Sequence, residues 1–280
     1  MNNKHSRTSW RCIVCIKPVP DPSRFDRLRL DPETMLLKRD EVPPVINPLD
    51  RNAIEAALEV KHRLGGRVAV VTMAPPSGQE QLVEALALGC DRAFLLTDKA
   101  FAGADTLATA RTLAAACAKL GRFDLILCGA WSADGSTAQV GPQLAELLGI
   151  PDMVHVRRME LSGGKVLAHC HRENGTAVLE AARPALVTLD QDSNKPGLAP
   201  MTGIRKALQS KITVWSCRDL GLKPRQVGLA GSPTRMLNVF AASASRKGEI
   251  FQGTVDEMTT QLLERLNQEQ VLTTGKGGKR

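Results

Sequence analysis

FDLILCGAWSADGSTAQVGPQLAELLG, residues 123–149, decides the fold. Its opening run is short and aliphatic and is bounded by Asp124 and Gly129, so it reads as a buried strand. Its closing part, STAQVGPQLAELLG, spaces apolar residues at helical intervals and stops at Gly149, where a left-handed cap residue is wanted. Between the two lies a run of small and polar residues: Ser132, Asp134, Gly135, Ser136 and Thr137. A strand that feeds a helix through such a loop is one βα unit.

Working outward, the same unit recurs. RCIVCIKPV, RVAVVTMAP and DRAFLLTD read as further buried strands, and PLDRNAIEAALEVKHRLGG, SGQEQLVEALALGC and GADTLATARTLAAACAKLG as the helices between them. Asp50 or Asn47 is suited to cap the first helix, Ser77 and Glu80 have capping-box spacing, and Gly65, Gly89, Gly121 and Gly149 each follow a helical run. Four βα units in a row imply an α/β fold with a doubly wound, mostly parallel, Rossmann-like sheet. After Pro151 the texture changes to alternating segments split by SGGK and ENG, an antiparallel meander that extends the sheet before PALVTLD. Residues 191–213 read as an exposed loop leading to a short helix, VDEMTTQLLERLNQ as a last amphipathic helix, and GKGGKR as disordered.

Composition narrows the function. The 280 residues are 43% hydrophobic, enough for one large domain or two small ones. No apolar run reaches the roughly 18 residues of a membrane span, and MNNKHSRTSW has no signal-peptide core, so cytoplasm is the expected location. The net charge of +8 would suit nucleic acid, but aromatic content of 3% without tyrosine leaves few stacking platforms, and no nucleic-acid role is expected. A basic surface that docks an acidic protein fits as well. Seven scattered cysteines suit reduced thiols. Cys12 and Cys15 form a CxxC, but strand geometry sends them to opposite faces, and His169 with His171 make only a pair, so no metal site is expected.

Ligands of a parallel α/β sheet bind outside the carboxyl ends of the strands. Four loops stand there: IKPVPDP, MAPPSG, TDKAFAGADT and GAWSADGSTAQ. In the last, Gly129, Gly135, Ser136, Thr137 and Ala138 are small enough for a phosphate to approach the amides of a helix start, and the hydroxyls can donate. Asp134 repels phosphate and suits a cap, a ribose hydroxyl or the shaping of the loop. An ordinary N-cap explains the same residues, and the loop alone does not choose. Asp105 and Thr106 pose the same choice at the third helix. No GxGxxG, Walker loop, serine elbow or telling Cys–His pair occurs, so no catalytic residue is assigned. A nucleotide site without its own acid, base or nucleophile leaves the chemistry to a cofactor, or makes the nucleotide structural.

CIKPVPD, VPPVINPLDRNAIEAAL, VTMAPP, ALALGCDRAFLLTD, FAGADTLAT and DGSTAQVGPQLAELLG, in this order and spacing, resemble the β subunit of electron transfer flavoproteins over about 200 residues. The resemblance implies a subunit that carries electrons between a dehydrogenase or NADH and an acceptor, paired with an α subunit that holds most of one FAD. It implies a second nucleotide in the β subunit, AMP in simpler members and FAD in electron-bifurcating ones. Carried over by motif, the site comprises Cys15, Asn47, Pro48, Leu49, Asp50, Met73 and the stretch Gly129, Ser132, Asp134, Gly135, Ser136, Thr137, Ala138, Gln139 and Val140, with Asp105 and Thr106 beside it. TAQVGP with CIKPVPD and FAGADTLAT is closest to the bifurcating and nitrogen-fixation-associated branch. Ala130, Trp131 and Ser136 depart from the basic residue, Gln and Asp common there. NKPGLAPMTGIRKA takes the place of the partner-recognition loop, with Leu198 and Met201 to dock on a dehydrogenase and Arg205 and Lys206 behind them. The organisation implied is a flexible N-terminus at 1–10, a nucleotide-binding domain at 11–213, an arm toward the α subunit at 214–270 and a disordered tail at 271–280.

Overall fold

The computed structural model describes residues 9–27, 42–235 and 248–271. Residues 1–8 of the expected flexible N-terminus, 272–280 of the expected disordered tail and part of the expected arm lie outside them, whereas Trp10, placed in that N-terminus, is buried and begins the first strand. The chain divides into two compact units, residues 1–238 and 239–280.

The first unit is built on a nine-stranded sheet. In chain order its strands are β1 (Trp10–Cys15), β4 (Gly66–Met73), β5 (Arg92–Leu96), β6 (Leu125–Gly129), β7 (Asp152–Ser162), β8 (Lys165–Arg172), β9 (Gly175–Ala182), β10 (Ala185–Leu189) and β11 (Ile212–Trp215). A small antiparallel pair, β2 (Pro18–Pro20) with β3 (Pro44–Ile46), stands apart. The order across the sheet is β11-β5-β4-β1-β6-β10-β7-β8-β9. All pairings from β11 to β7 are parallel, and β7–β8 and β8–β9 are antiparallel. The meander thus extends the same sheet, as its glycine turns suggest. No such reading foresees β11, although Ile-Thr-Val-Trp is a strand-like tetrapeptide, nor the β2–β3 pair, whose prolines mask it.

Helices α1 (Pro48–Leu64), α2 (Gln79–Leu88), α3 (Thr106–Leu120), α4 (Val140–Leu148) and α5 (Met201–Leu208) cover the two faces. Alternation along β1 sets up both layers: Cys12 and Val14 pack with Ile54, Ala57 and Leu82 of α1 and α2, and Ile13 and Cys15 with Leu113, Ala116 and Leu144 of α3 and α4. The two thiols of the CxxC therefore do face opposite ways. All seven cysteines are buried free thiols, and burial pushes Cys12 and Cys90 up to about 12. Each fully buried Leu, Ile or Phe here contributes about 1.5–3 kcal/mol.

The helix ends test the cap readings. Asp105 caps α3, accepting from the Ala108 N–H at 2.9 Å. Gly65, Gly89, Gly121 and Gly149 are the C-cap residues of their helices, each with positive φ. The Ser77–Glu80 box does not form, because Pro76–Gly78 is a 3-10 turn and α2 starts from Gly78 with no side-chain cap. In the second unit, α7 (Val255–Gln268) begins at a capping box of Thr254 with Glu257, while α6 (Gly228–Gly231) closes the first unit. Among the described residues no helix is long and apolar enough to cross a membrane.

Candidate functional site at the sheet switch point

The chain runs from β1 through β4 to β5 on one side and then returns to add β6 on the other side of β1. Neighbouring loops diverge at such a reversal and leave a crevice at the carboxyl ends of the strands. The register Cys12–Leu125 to Val14–Leu127 brings the ends of β1 and β6 side by side.

The INPLD turn stitches this crevice together. Asn47 precedes α1 but caps nothing. Its amide nitrogen donates to the Trp131 carbonyl at 2.9 Å, and its amide oxygen accepts from the Ala133 N–H at 3.0 Å. Asp50, in the first turn, accepts from the Lys17 N–H at 2.7 Å and from the Gly129 N–H at 3.0 Å. Pro48 at the first helical position removes one N–H that would need a cap, which frees both side chains to hold the loops after β1 and β6. Both are buried. Burial pushes the Asp50 carboxyl up to about 7, against the Lys17 and Gly129 N–H bonds that favour its charge. Leu49 packs where a side chain on Gly129 would stand: a Cβ there would meet Asp50 Oδ1 at 2.5 Å and Leu49 Cβ at 2.7 Å. Only glycine lets α1 lie this close on β6.

The loop after β6 differs from its sequence reading in one respect. α4 begins at Val140, not at Ser136. Ser136 (φ 48) and Ala138 (φ 55) are left-handed, which interrupts any helix, and the Ser136 N–H turns back to the Ser132 carbonyl at 2.8 Å. Gly135, Ser136, Thr137 and Gln139 are exposed. Gln139 precedes α4 without capping it by its side chain, although the Thr106 hydroxyl donates to its Oε1 at 3.0 Å. Gly141 then packs so tightly on β10 that a Cβ would meet Thr188 Cγ2 at 2.5 Å. The first turn of α4 is therefore an uncapped helix start at the mouth of the crevice.

Lys17 is the residue the sequence reading passed over. Its ammonium group lies 2.6 Å from Asp134 Oδ1 and 3.2 Å from Ser132 Oγ, tying the loop after β1 to the loop after β6. The Asp134 side chain is 4% exposed, so it shapes the loop from within. A cation directly after the first strand was the available signal, obscured by the general basic charge of the chain.

The other expected residues sit at the same edge with different occupations. Cys15 is buried beneath it, in the same core cluster as Cys117 and Cys128, whose thiols interact with its own. Those two thiols are pushed well up, first by that contact and then by burial. Met73 ends β4, half-buried. Asp105 is spent on its cap and on Thr234, which donates to it through N–H and hydroxyl at 3.1 and 2.8 Å. Burial works against its charge, but the bonds from Ala108, Thr234 and Ser232 win and hold it below the usual carboxylate range. Residues 191–197 are strapped to α1: the Asn52 side chain donates to the Gln191 and Asn194 carbonyls at 3.0 Å, and Glu55 accepts from the Gly197 N–H at 2.9 Å. Beyond the strap, Leu198 (89%) and Met201 (79%) are exposed, as are Arg205 and Lys206.

A doubly wound α/β domain whose switch-point crevice ends in a small-residue loop and an uncapped helix is the class of protein these features define. The pattern of the electron transfer flavoprotein domain matches residues 34–220. The chain is 41% identical over 261 residues to the electron transfer flavoprotein subunit beta of Thermoanaerobacterium thermosaccharolyticum, covering 93% of this chain and 99% of that one. It is 40% identical over 264 residues to the caffeyl-CoA reductase-Etf complex subunit CarD of Acetobacterium woodii, covering 94% and 100%. It is also 40% identical over 240 residues to the protein FixA of Azorhizobium caulinodans, covering 83% and 84%. The chain belongs to the electron transfer flavoprotein family, among its β subunits, and its role is electron transfer.

Proposed function

We propose that this chain is the β half of a heterodimer with an α flavoprotein subunit, and that its switch-point crevice holds a nucleotide, FAD or AMP, by the phosphate. The observation that carries the reading is the uncapped start of α4 behind exposed Ser136 and Thr137, with the Lys17 ammonium beside it. The residues fit the group. A side chain at Gly135 would approach Ser132 Oγ at 3.4 Å and Lys17 Nζ at 3.8 Å, so the glycine keeps this face of the loop low. Amides of the loop and helix start, the Thr137 hydroxyl and Lys17 offset phosphate charge, while the Ser136 hydroxyl donates to the Ser132 carbonyl at 3.1 Å. Asn47 and Asp50 hold the two loops at fixed separation. Val140, Ala138 and Gln139 present only small or neutral groups to a ligand. A flavin bound there supplies exchange of electrons with the partners, whereas AMP supplies none and acts as a structural group.

Leu198 and Met201, lifted from the surface by the Asn52 and Glu55 strap, are the contact for a dehydrogenase or another flavoprotein, with Arg205 and Lys206 completing the patch. The segment beyond 214 serves the α subunit, and the protein works in the cytoplasm. Extracting nucleotide from the purified heterodimer tests the reading. Two FAD per heterodimer support a redox group in the β site and the bifurcating reading, and one FAD with one AMP supports the structural alternative. A heterodimer whose only nucleotide is a single FAD refutes a β-subunit site.

A further inference from the structure

Three thiols gather at one point of the sheet, and the proposed function uses none of their chemistry. Cys15 ends β1, and Cys128 is the last residue but one of β6. The register Val14–Leu127 continues by one step to set Cys15 beside Cys128 on neighbouring parallel strands. Both side chains face the α3 and α4 layer, where Cys117 of α3 belongs to the same core. Neighbouring strands run about 4.7–4.9 Å apart, inside the Cα separation of about 4.4–6.8 Å that a disulfide spans. Closing a bond between Cys15 and Cys128 therefore asks for side-chain rotation and little movement of the backbone.

Cys12 and Cys90, on the opposite face of the sheet, give the contrast. Burial pushes each of them up to about 12, which leaves almost no thiolate at neutral pH. Cys15 goes the other way: the Cys117 and Cys128 thiols hold it well below the ordinary thiol value, against burial. The Asp50 carboxyl and a charge on Cys15 both oppose ionisation of Cys128, so the cluster gives up one proton, and from Cys15. Its reactive pair is also not sealed in. Cys15 and Cys128 are each 7% exposed and stand where β1 and β6 open on the crevice, whereas Cys117 is fully enclosed.

We propose that Cys15 and Cys128 are a peroxide-sensitive dithiol that closes a disulfide across the ends of β1 and β6. The Cys15 sulfur attacks hydrogen peroxide: an S–O bond forms, the O–O bond breaks, and the departing hydroxide takes the proton that Cys15 gave up and leaves as water. The Cys128 sulfur then attacks the sulfur of the Cys15 sulfenic acid. The S–S bond forms, the S–O bond breaks, and the leaving hydroxide takes the Cys128 proton as a second water. The sulfurs lose one electron pair, the peroxide gains it, and no other reactant enters. Cys117 is the positioning residue that keeps Cys15 reactive. The new bond joins the strands that carry the loops after β1 and β6, so it resists their parting. It depends on the thiols and the strand register, whatever the crevice binds.

The test treats the purified heterodimer with hydrogen peroxide, then unfolds it, alkylates the remaining thiols and maps the peptides by mass spectrometry. Of the seven thiols, Cys15 and Cys128 lose alkylation together, about tenfold or more faster than Cys12 and Cys90. They appear in one cross-linked peptide pair, and dithiothreitol restores both. Cys128→Ala leaves Cys15 as a sulfenic acid that dimedone captures, and Cys117→Ala keeps the cross-link but slows its formation several-fold. In the cross-linked wild type, amide exchange at Lys17 and Gly129 slows several-fold, because the strand ends no longer part. Oxidation of Cys15 and Cys128 no faster than of Cys12 and Cys90 overturns the proposal. So does a bond from Cys15 to Cys117, or sulfinic acid at Cys15 with Cys128 left reduced. Unslowed exchange at Lys17 and Gly129 in cross-linked protein overturns the joining of the strands. These outcomes are read on the wild type, so they decide the matter even where a variant fails to fold.

Discussion

Replacing Asp50 with asparagine separates two effects that oppose each other at the switch point. The carboxyl accepts the Lys17 and Gly129 N–H groups, one on each oxygen. Asparagine has one oxygen for these two donors, so one buried N–H loses its acceptor, at about 1–3 kcal/mol. Against that stands the cost of the buried charge. Burial raises the carboxyl from 3.8 to about 7, so between those values the folded state keeps a proton that the unfolded state has released. Stability contributed by Asp50 is full below about pH 4 and is lost as pH rises toward about 7, with a slope of at most ~1.4 kcal/mol per unit. Over that window the loss is on the order of 4 kcal/mol. Asparagine has no such slope. Asp50→Asn therefore unfolds more easily than wild type at about pH 5 and gains on it steadily toward about pH 8, and urea unfolding across this range measures the difference. Amide exchange at Gly129 and Lys17 locates the broken bond. A difference that is flat with pH, or that grows against the variant as pH rises, refutes the reasoning, because the two N–H bonds would then outweigh burial.

Two further outcomes follow from contacts at the same edge. Gly129→Ala places a methyl 2.5 Å from Asp50 Oδ1 and 2.7 Å from Leu49 Cβ. It should cost about 1–3 kcal/mol, read as a melting point lowered by roughly 2–4 °C per kcal/mol, and an unchanged melt would show that α1 does not rest on β6. Replacing Leu198 and Met201 with aspartate touches only exposed side chains, so stability should shift by about 0.5 kcal/mol or less. Electron transfer from the cognate dehydrogenase should fall several-fold, and an unaltered rate removes the docking role.

The four βα units were legible because each strand and helix carries its own signal over five to seventeen residues: aliphatic runs, helical spacing and glycine stops are local. The same holds for Asp105 before α3. The start of α4 was misjudged because STAQ has acceptable helix residues, and only Ser136 and Ala138 in left-handed backbone reveal that the loop continues. Asn47 looked like a cap for the same reason: its spacing to α1 is right, but its partners lie 84 and 86 residues away. Pairing at that distance has no trace in the neighbouring sequence.

By itself, then, the sequence determined the α/β class, the antiparallel extension, the loop that ends β6 and, through motif order, the family. Periodicity and turn chemistry act between residues close in the chain, so they survive without a structure to look at. The tertiary structure alone decided that β11 closes the sheet edge, that Asn47 and Asp50 bind the loops instead of capping α1, that Lys17 reaches Asp134 across 117 residues, and that Trp131 meets His155. Each of these depends on strand order and register. The side chains at the mouth of the crevice are brought together by the sheet and not by the chain.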